Sequence, residues 1–203
     1  MRLLDNLPKV TRNIILTNVI VFVATMLNSG LIYRLFAMYY PASPMFRFWQ
    51  PLTHMFVHGG FAHIFFNMYA LLIFGSVVER IIGEKKFLIL YLVSGLGAAA
   101  FHMAVMALFG GGTSAPVVGA SGAIYGVILT YAMLFPDSRL TLLFPPVTLS
   151  ARKMVIIFAA IEILTGVFLS GDGIAHFAHL GGMIFAFLLI FYWKKKRTLF
   201  DRN

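Results

Sequence analysis

The residues most able to do chemistry in this chain are a serine, several histidines and an asparagine. Ser121 sits in Gly119-Ala120-Ser121-Gly122-Ala123-Ile124-Tyr125-Gly126, at the start of an apolar segment that runs to Phe135. His63 and Asn67 are four residues apart near the start of an earlier apolar segment, so they share a helix face. His176 and His179 stand near the start of the last one. A serine hydroxyl is a weak nucleophile and needs a neighbouring base, which histidine supplies. The oxyanion of an acyl transfer needs preorganised donors. An Asn amide, a second His and the free N–H groups at a helix start are such donors. Tyr125, one turn below Ser121, is placed to hold an imidazole ring by stacking. The competing explanation is packing, because a serine among small residues also serves close helix contact in a membrane.

The other polar residues define the limits of that reading. No carboxylate stands at a matching depth. Asp172 is nearest in sequence, and its turn Ser170-Gly171-Asp172-Gly173 reads as solvated. The expectation is therefore a Ser–His dyad rather than a triad, with slow turnover. Glu162 lies near the middle of an apolar segment with no countercharge nearby in sequence, which leaves it either protonated or bonded to a neighbouring helix, or else a functional acid without an identifiable partner. His54 and His58, spaced i and i+4, are expected to bond loop carbonyls rather than a metal. His102 is expected to make an interhelical bond.

These residues must be positioned by membrane helices. Of 203 residues, 60% are hydrophobic and only 11% charged, with a mean hydropathy of +0.89. A soluble domain carries about a quarter charged residues. Six apolar segments are expected, at about residues 11–27, 60–82, 87–109, 119–135, 154–169 and 174–193, in one domain spanning 1–203. The fold class is all-α, a polytopic six-helix membrane bundle. The fourth segment is short for a hydrocarbon core of ~30 Å, so its start should lie below the membrane surface. Residues 31–51, broken by Pro41, Pro44 and Pro51, read as an interfacial loop carrying Tyr33, Tyr39, Tyr40 and Trp49. The Gly110-Gly111-Gly112 stretch and the turn at 170–173 are expected to leave an opening from the outer face. Gly182 and Ala186 would let the sixth segment approach the fourth. The absence of cysteine excludes disulfides and thiolate chemistry.

The net charge of +9 does not point to nucleic acid, because the basic residues cluster at segment ends. With six spans, every Lys and Arg except Arg34 and Arg47 falls on one side. Both termini are then cytoplasmic, and the serine and histidines lie toward the outer face of a plasma membrane, with a bacterial home expected. Lys194 to Arg197 closes the last segment and suits anionic headgroups.

At these motifs the chain resembles the rhomboid family of intramembrane serine proteases. Gly119-Ala120-Ser121-Gly122 resembles its Gly-x-Ser-Gly nucleophile motif, with Tyr125 at the matching aromatic position. His63-Ile64-Phe65-Phe66-Asn67 resembles its His-x-x-x-Asn oxyanion pair. Ala178-His179-Leu180-Gly181-Gly182 resembles its Ala-His-x-x-Gly motif. The resemblance implies Ser121 as nucleophile and His179, not His176, as base. It implies an oxyanion hole from His63, Asn67 and Ser121, with Gly119, Gly122, Gly182 and Tyr125 in support. The family's Trp-Arg pair appears here as Trp49-Gln50. The implied activity is cleavage of single-pass membrane proteins in or near their transmembrane segment, with lateral access past the second and fifth helices. No metal or organic cofactor and no nucleic acid is implied, and oligomeric state is left open. Three other readings compete: a catalytically inactive relative that binds membrane proteins, a metal- or haem-binding bundle using the histidines, and a transporter. The last is disfavoured because no inverted repeat is visible.

Overall fold

The computed structural model describes residues 6–109, 115–142, 146–168 and 175–201. Helix α1 (Lys9–Leu27) starts after Pro8. Its free N-terminal amides are capped from far away in sequence. Glu79 accepts from Val10 N at 2.9 Å, and from Thr11 N and Thr11 Oγ1 at 2.7 Å each. An acid at a helix N-terminus satisfies orphan donors and complements the helix dipole. Glu79 thus latches the start of α1 to a later helix, and Arg80 adds a bond from Nη2 to Asn6 O at 3.0 Å.

The stretch expected as an irregular interfacial loop is partly helical. Asn28 Oδ1 accepts from Leu31 N at 3.0 Å and starts α2 (Ser29–Phe36). Irregular chain follows to the short α3 (Gln50–Thr53). The connecting chain is held by Gln50, which is fully buried. Its Oε1 accepts from Arg47 N (3.0 Å) and Tyr39 N (3.4 Å), while Nε2 donates to Met45 O (3.0 Å) and Arg34 O (3.4 Å). Trp49 Nε1 donates to Leu35 O at 2.8 Å. A neutral amide, which offers both donors and acceptors, suits this ring of backbone groups better than a cation would.

Helix α4 (Phe61–Ile82) contains a π-helical turn at Leu71–Gly75. Helix α5 (Glu84–Phe109) follows directly. Helix α6 (Ser121–Leu134) has 14 residues, even fewer than expected. It begins late because Gly119 takes φ +118°, a conformation L side chains rarely adopt. A two-stranded hairpin, β1 (Arg139–Thr141) and β2 (Thr148–Ser150), replaces the loop expected before the next helix. Helix α7 (Ala151–Phe168) therefore starts three residues earlier than its apolar run, and α8 (His176–Lys195) ends at the basic cluster.

Four of these helices, α1, α4, α5 and α8, are long and apolar enough to cross a membrane. Helix α6 is shorter, and α7 carries Arg152, Lys153 and Glu162. Helix α6 is the core element, packed against both α5 and α8. Small residues set that closeness. A Cβ on Gly182 would lie 1.8 Å from Gly122 O, and one on Gly122 would lie 2.5 Å from Ala98 Cβ. Ala186 is fully buried on the same helix as Gly182. Large apolar side chains on α1, α4 and α7, among them Ile20, Phe61, Phe66, Ile156 and Leu164, point outward. A surface of that kind suits lipid rather than water.

Candidate active site

An isolated backbone bridge and one further backbone bond fix where α6 begins. Met38 and Val117 exchange N–H···O bonds of 2.9 and 2.8 Å, and Gly119 N donates to His54 O at 3.0 Å. The turn at Gly119 then delivers Ser121 as the first helical residue. Helix geometry leaves its amide and that of Gly122 without intrahelical acceptors. His179 stands on the first turn of α8, which the Gly182–Gly122 contact presses against α6. The outcome is a hydrogen bond of 2.7 Å between Ser121 Oγ and His179 Nε2.

Tyr125 lies flat on the His179 ring, with centroids 4.3 Å apart and planes 3° from parallel. His63 and Asn67 approach from α4. His63 Nδ1 accepts from Gly59 N at 3.4 Å, which leaves the ring proton on Nε2 as a donor. That Nε2 and Ser121 Oγ lie 2.6 and 3.8 Å from the point where a Gly119 Cβ would be, so only glycine fits between them. Asn67 Nδ2 donates one proton to His63 O at 2.8 Å and keeps a second. Ser121, His179, His63 and Asn67 line one cavity of about 740 Å³, bounded also by Phe66, His102 and His176.

The structure thus brings together Ser121, His179, His63, Asn67 and Tyr125, with Gly119, Gly122 and Gly182 spacing them. One expectation is overturned. A carboxylate does reach the histidine, and it is Glu162 of α7. Its Oε1 lies 3.0 Å from His179 Nδ1 and accepts the Tyr125 hydroxyl, and its Oε2 lies 2.6 Å from His176 Nδ1. Glu162 is buried, as is His176, which also meets Thr165 Oγ1 at 3.0 Å. The 3.0 Å approach is an ion-pair distance, with the His179 ring N–H not in line with the oxygen. Asp172 lies outside the described residues, as do most of the glycine-rich loop before α6 and the turn before α8.

The signal for Glu162 was its separation from the α7–α8 turn. It stands about as far before that turn as His179 stands after it. Antiparallel neighbours joined by a short turn bring such residues to one depth. Glu162, His176 and His179 also offer three potential metal-ligand atoms within 4.8 Å of one another. The contacts just described already engage those atoms.

The remaining histidines divide. His54 Nδ1 meets Gln50 O at 3.1 Å, the loop bond expected of it. His58 is buried edge-on against His63, centroids 4.9 Å apart, and makes no side-chain hydrogen bond among the described residues, contrary to expectation. His102 Nδ1 is likewise without a partner among the described residues, so the expected interhelical bond through that atom is not formed.

Comparison with known proteins agrees with this arrangement. The model of the Rhomboid domain matches residues 45–196. The chain is 31% identical over 154 residues to the "Presenilin-associated rhomboid-like protein, mitochondrial" of Mus musculus, covering 73% of this chain and 40% of that protein. It is 32% identical over 148 residues to "RHOMBOID-like protein 4" of Arabidopsis thaliana, covering 70% of this chain and 33% of that protein. It is 30% identical over 155 residues to the "Putative rhomboid protease YdcA" of Bacillus subtilis (strain 168), covering 73% and 69%. The matched region is thus less than half of the mitochondrial and plant relatives. With the family model spanning most of the chain and its motif residues gathered around one cavity, this multi-pass membrane protein belongs to the rhomboid family.

Proposed function

We propose that this chain is an intramembrane serine protease that cleaves single-pass membrane proteins in or near their transmembrane segment. The observation that carries the reading is the 2.7 Å bond between Ser121 Oγ and His179 Nε2 at the wall of a cavity. In this reading Ser121 Oγ attacks the scissile carbonyl carbon as its proton passes to His179 Nε2. The oxyanion meets the Ser121 amide, the spare Asn67 Nδ2 proton and the His63 Nε2–H. The peptide C–N bond then breaks, and His179 returns the proton to the leaving amine. A water deprotonated by His179 hydrolyses the acyl-enzyme and frees Ser121.

The proposed architecture has six spans, counting α6 and α7 with the four long helices. Helix α6 is about 21 Å long at 1.5 Å per residue, so it starts below the surface of a ~30 Å core, where water from one face can reach it. The charge distribution supports cytoplasmic termini and a site toward the outer face of a plasma membrane. The Glu79 latch supports this too, since it joins the start of α1 to the end of α4 on one side.

The test is cleavage of a single-pass substrate by the protein in liposomes, with products sized by intact mass. Wild type should cut near the membrane boundary, and Ser121→Ala and His179→Ala should each lose at least ~10³-fold in rate. A folded wild type that binds but never cuts would favour the inactive-relative reading. Undiminished cutting by Ser121→Ala would exclude Ser121 as nucleophile.

A further inference from the structure

Among the described residues Glu162 is the one acidic side chain that touches the site, and the dyad chemistry does not use it. It stands inside α7, closed off from solvent, with both oxygens engaged. A buried carboxylate is costly unless it is paired and hydrogen-bonded. Here the pairing is with the two histidines of α8 and the tyrosine of α6.

Resting on the protease reading above, we propose that Glu162 is a positioning residue that completes a Ser121–His179–Glu162 triad. The argument begins with tautomers. For Ser121 Oγ–H to give up its proton, His179 Nε2 must present a lone pair, so the ring proton must sit on Nδ1. Nδ1 faces Glu162 Oε1 at 3.0 Å. In the other tautomer a nitrogen lone pair would face a carboxylate oxygen at that distance, an arrangement electrostatics opposes. The carboxylate therefore selects the tautomer that can act as base. When Nε2 takes the serine proton, the ring becomes an imidazolium, and the carboxylate lies next to the new charge. The Nδ1 proton stays on the ring and Glu162 stays ionised. The Nε2 proton leaves with the amine.

The surroundings hold Glu162 for that task. His176 Nδ1 lies 2.6 Å from Oε2. Thr165 Oγ1, which donates to Ile161 O at 2.7 Å, has its proton committed there, so His176 Nδ1–H is the donor toward both Thr165 and Glu162. Tyr125 acts twice. Its ring supports His179 from one face, and its hydroxyl donates to the same Oε1 that faces Nδ1. Serine, base, orienting acid and ring support thus come from α6, α7 and α8 and meet at one point.

The experiment uses the full chain in liposomes with two readouts. One is kcat and KM for a single-pass substrate. The other is the rate of Ser121 labelling by a small fluorophosphonate, which needs a nucleophilic serine but no transmembrane docking. Glu162→Gln should lower kcat and labelling on the order of 10²-fold at little-changed KM. That is less than the ~10⁴ a soluble triad loses with its acid, because the His179 N–H is off line. Glu162→Asp should recover part of the loss. A 15N spectrum of His179 in resting wild type should show the Nδ1–H tautomer, and this needs no variant to fold. Unchanged kcat in folded Glu162→Gln, or an Nε2–H tautomer in wild type, would overturn the proposal while leaving the protease reading intact. Loss of wild-type cleavage on chelator treatment would overturn it in favour of a metal at Glu162, His176 and His179. A wild type that neither cuts nor labels would overturn both readings.

Discussion

A Cβ placed on Gly182 of α8 would lie 1.8 Å from the carbonyl oxygen of Gly122 on α6, so the two helices touch backbone to backbone one turn below the Ser121–His179 bond. The obstacle is main chain, which cannot rotate away as a side-chain tip can. Gly182→Ala must therefore move one helix. The expected result is loss of measurable cleavage and a fall in stability of about 1–3 kcal/mol, as for an overpacked core. Thermal unfolding in detergent, read beside labelling of Ser121, checks it. Full activity in Gly182→Ala would mean that the helices are not held this tightly.

Tyr125 separates two functions in one side chain. Tyr125→Phe keeps the stack on His179 and removes the hydroxyl donated to Glu162. A hydrogen bond to a charged group is worth about 1.5–3 kcal/mol, so kcat should fall by about 10- to 10²-fold. Tyr125→Ala removes the ring as well and should cost clearly more. If the two variants are equally impaired, the stack contributes nothing and the hydroxyl carries the whole effect.

Gln50 predicts a stability effect away from the chemistry. Its side chain replaces missing backbone partners for Arg47, Tyr39, Met45 and Arg34. Gln50→Ala leaves several part-buried backbone groups without this partner, each costing up to about 1–3 kcal/mol. The midpoint of thermal unfolding should drop by several degrees. Gln50→Arg should not rescue it, because an arginine cannot accept the Arg47 and Tyr39 amides.

His54 and His58 predict a pH dependence. Burial pushes each imidazole down to about 4 from an ordinary value of 6.5. Above pH 6.5 both are neutral in the folded and unfolded chain and impose no penalty. Between 6.5 and about 4 the unfolded chain takes up protons that the folded chain refuses. Stability falls through that window by about 1.4 kcal/mol per pH unit for each histidine, and levels off below it. Unfolding midpoints at pH 7.5 and 5 should differ, and His54→Gln should shrink the difference by roughly half, leaving the His58 share. A midpoint independent of pH across that range would contradict the assignment.

Much of the site was legible in the sequence, because its logic is local. Four-residue spacing puts His63 and Asn67 on one face, and small residues around Ser121 and at Gly182 announce close contact. The partnership of Glu162 was hidden because it depends on how α7 rotates about its axis. A pattern of apolar residues on all sides leaves that rotation undetermined. Helix starts were misjudged where turn chemistry overrides hydropathy. Gly119 delays α6 until Ser121, and the β1–β2 hairpin lets α7 include Arg152 and Lys153. Position 50, where the resemblance implies arginine, carries glutamine. The folded chain shows a ring of backbone donors and acceptors that an amide satisfies.

The Glu79 latch orders events in time as well as in space. The amides at Val10 and Thr11 emerge from the ribosome first, yet their acceptor follows 68 or 69 residues later. At about 5–20 residues per second, that interval is roughly 3–14 s. For those seconds the first helix has open N-terminal donors that only water or lipid headgroups can satisfy. Those donors are satisfied within the chain only once the end of α4 brings its carboxylate to the start of α1. The N-terminal hydrogen bonds of α1 are thus completed by a carboxylate translated well after them.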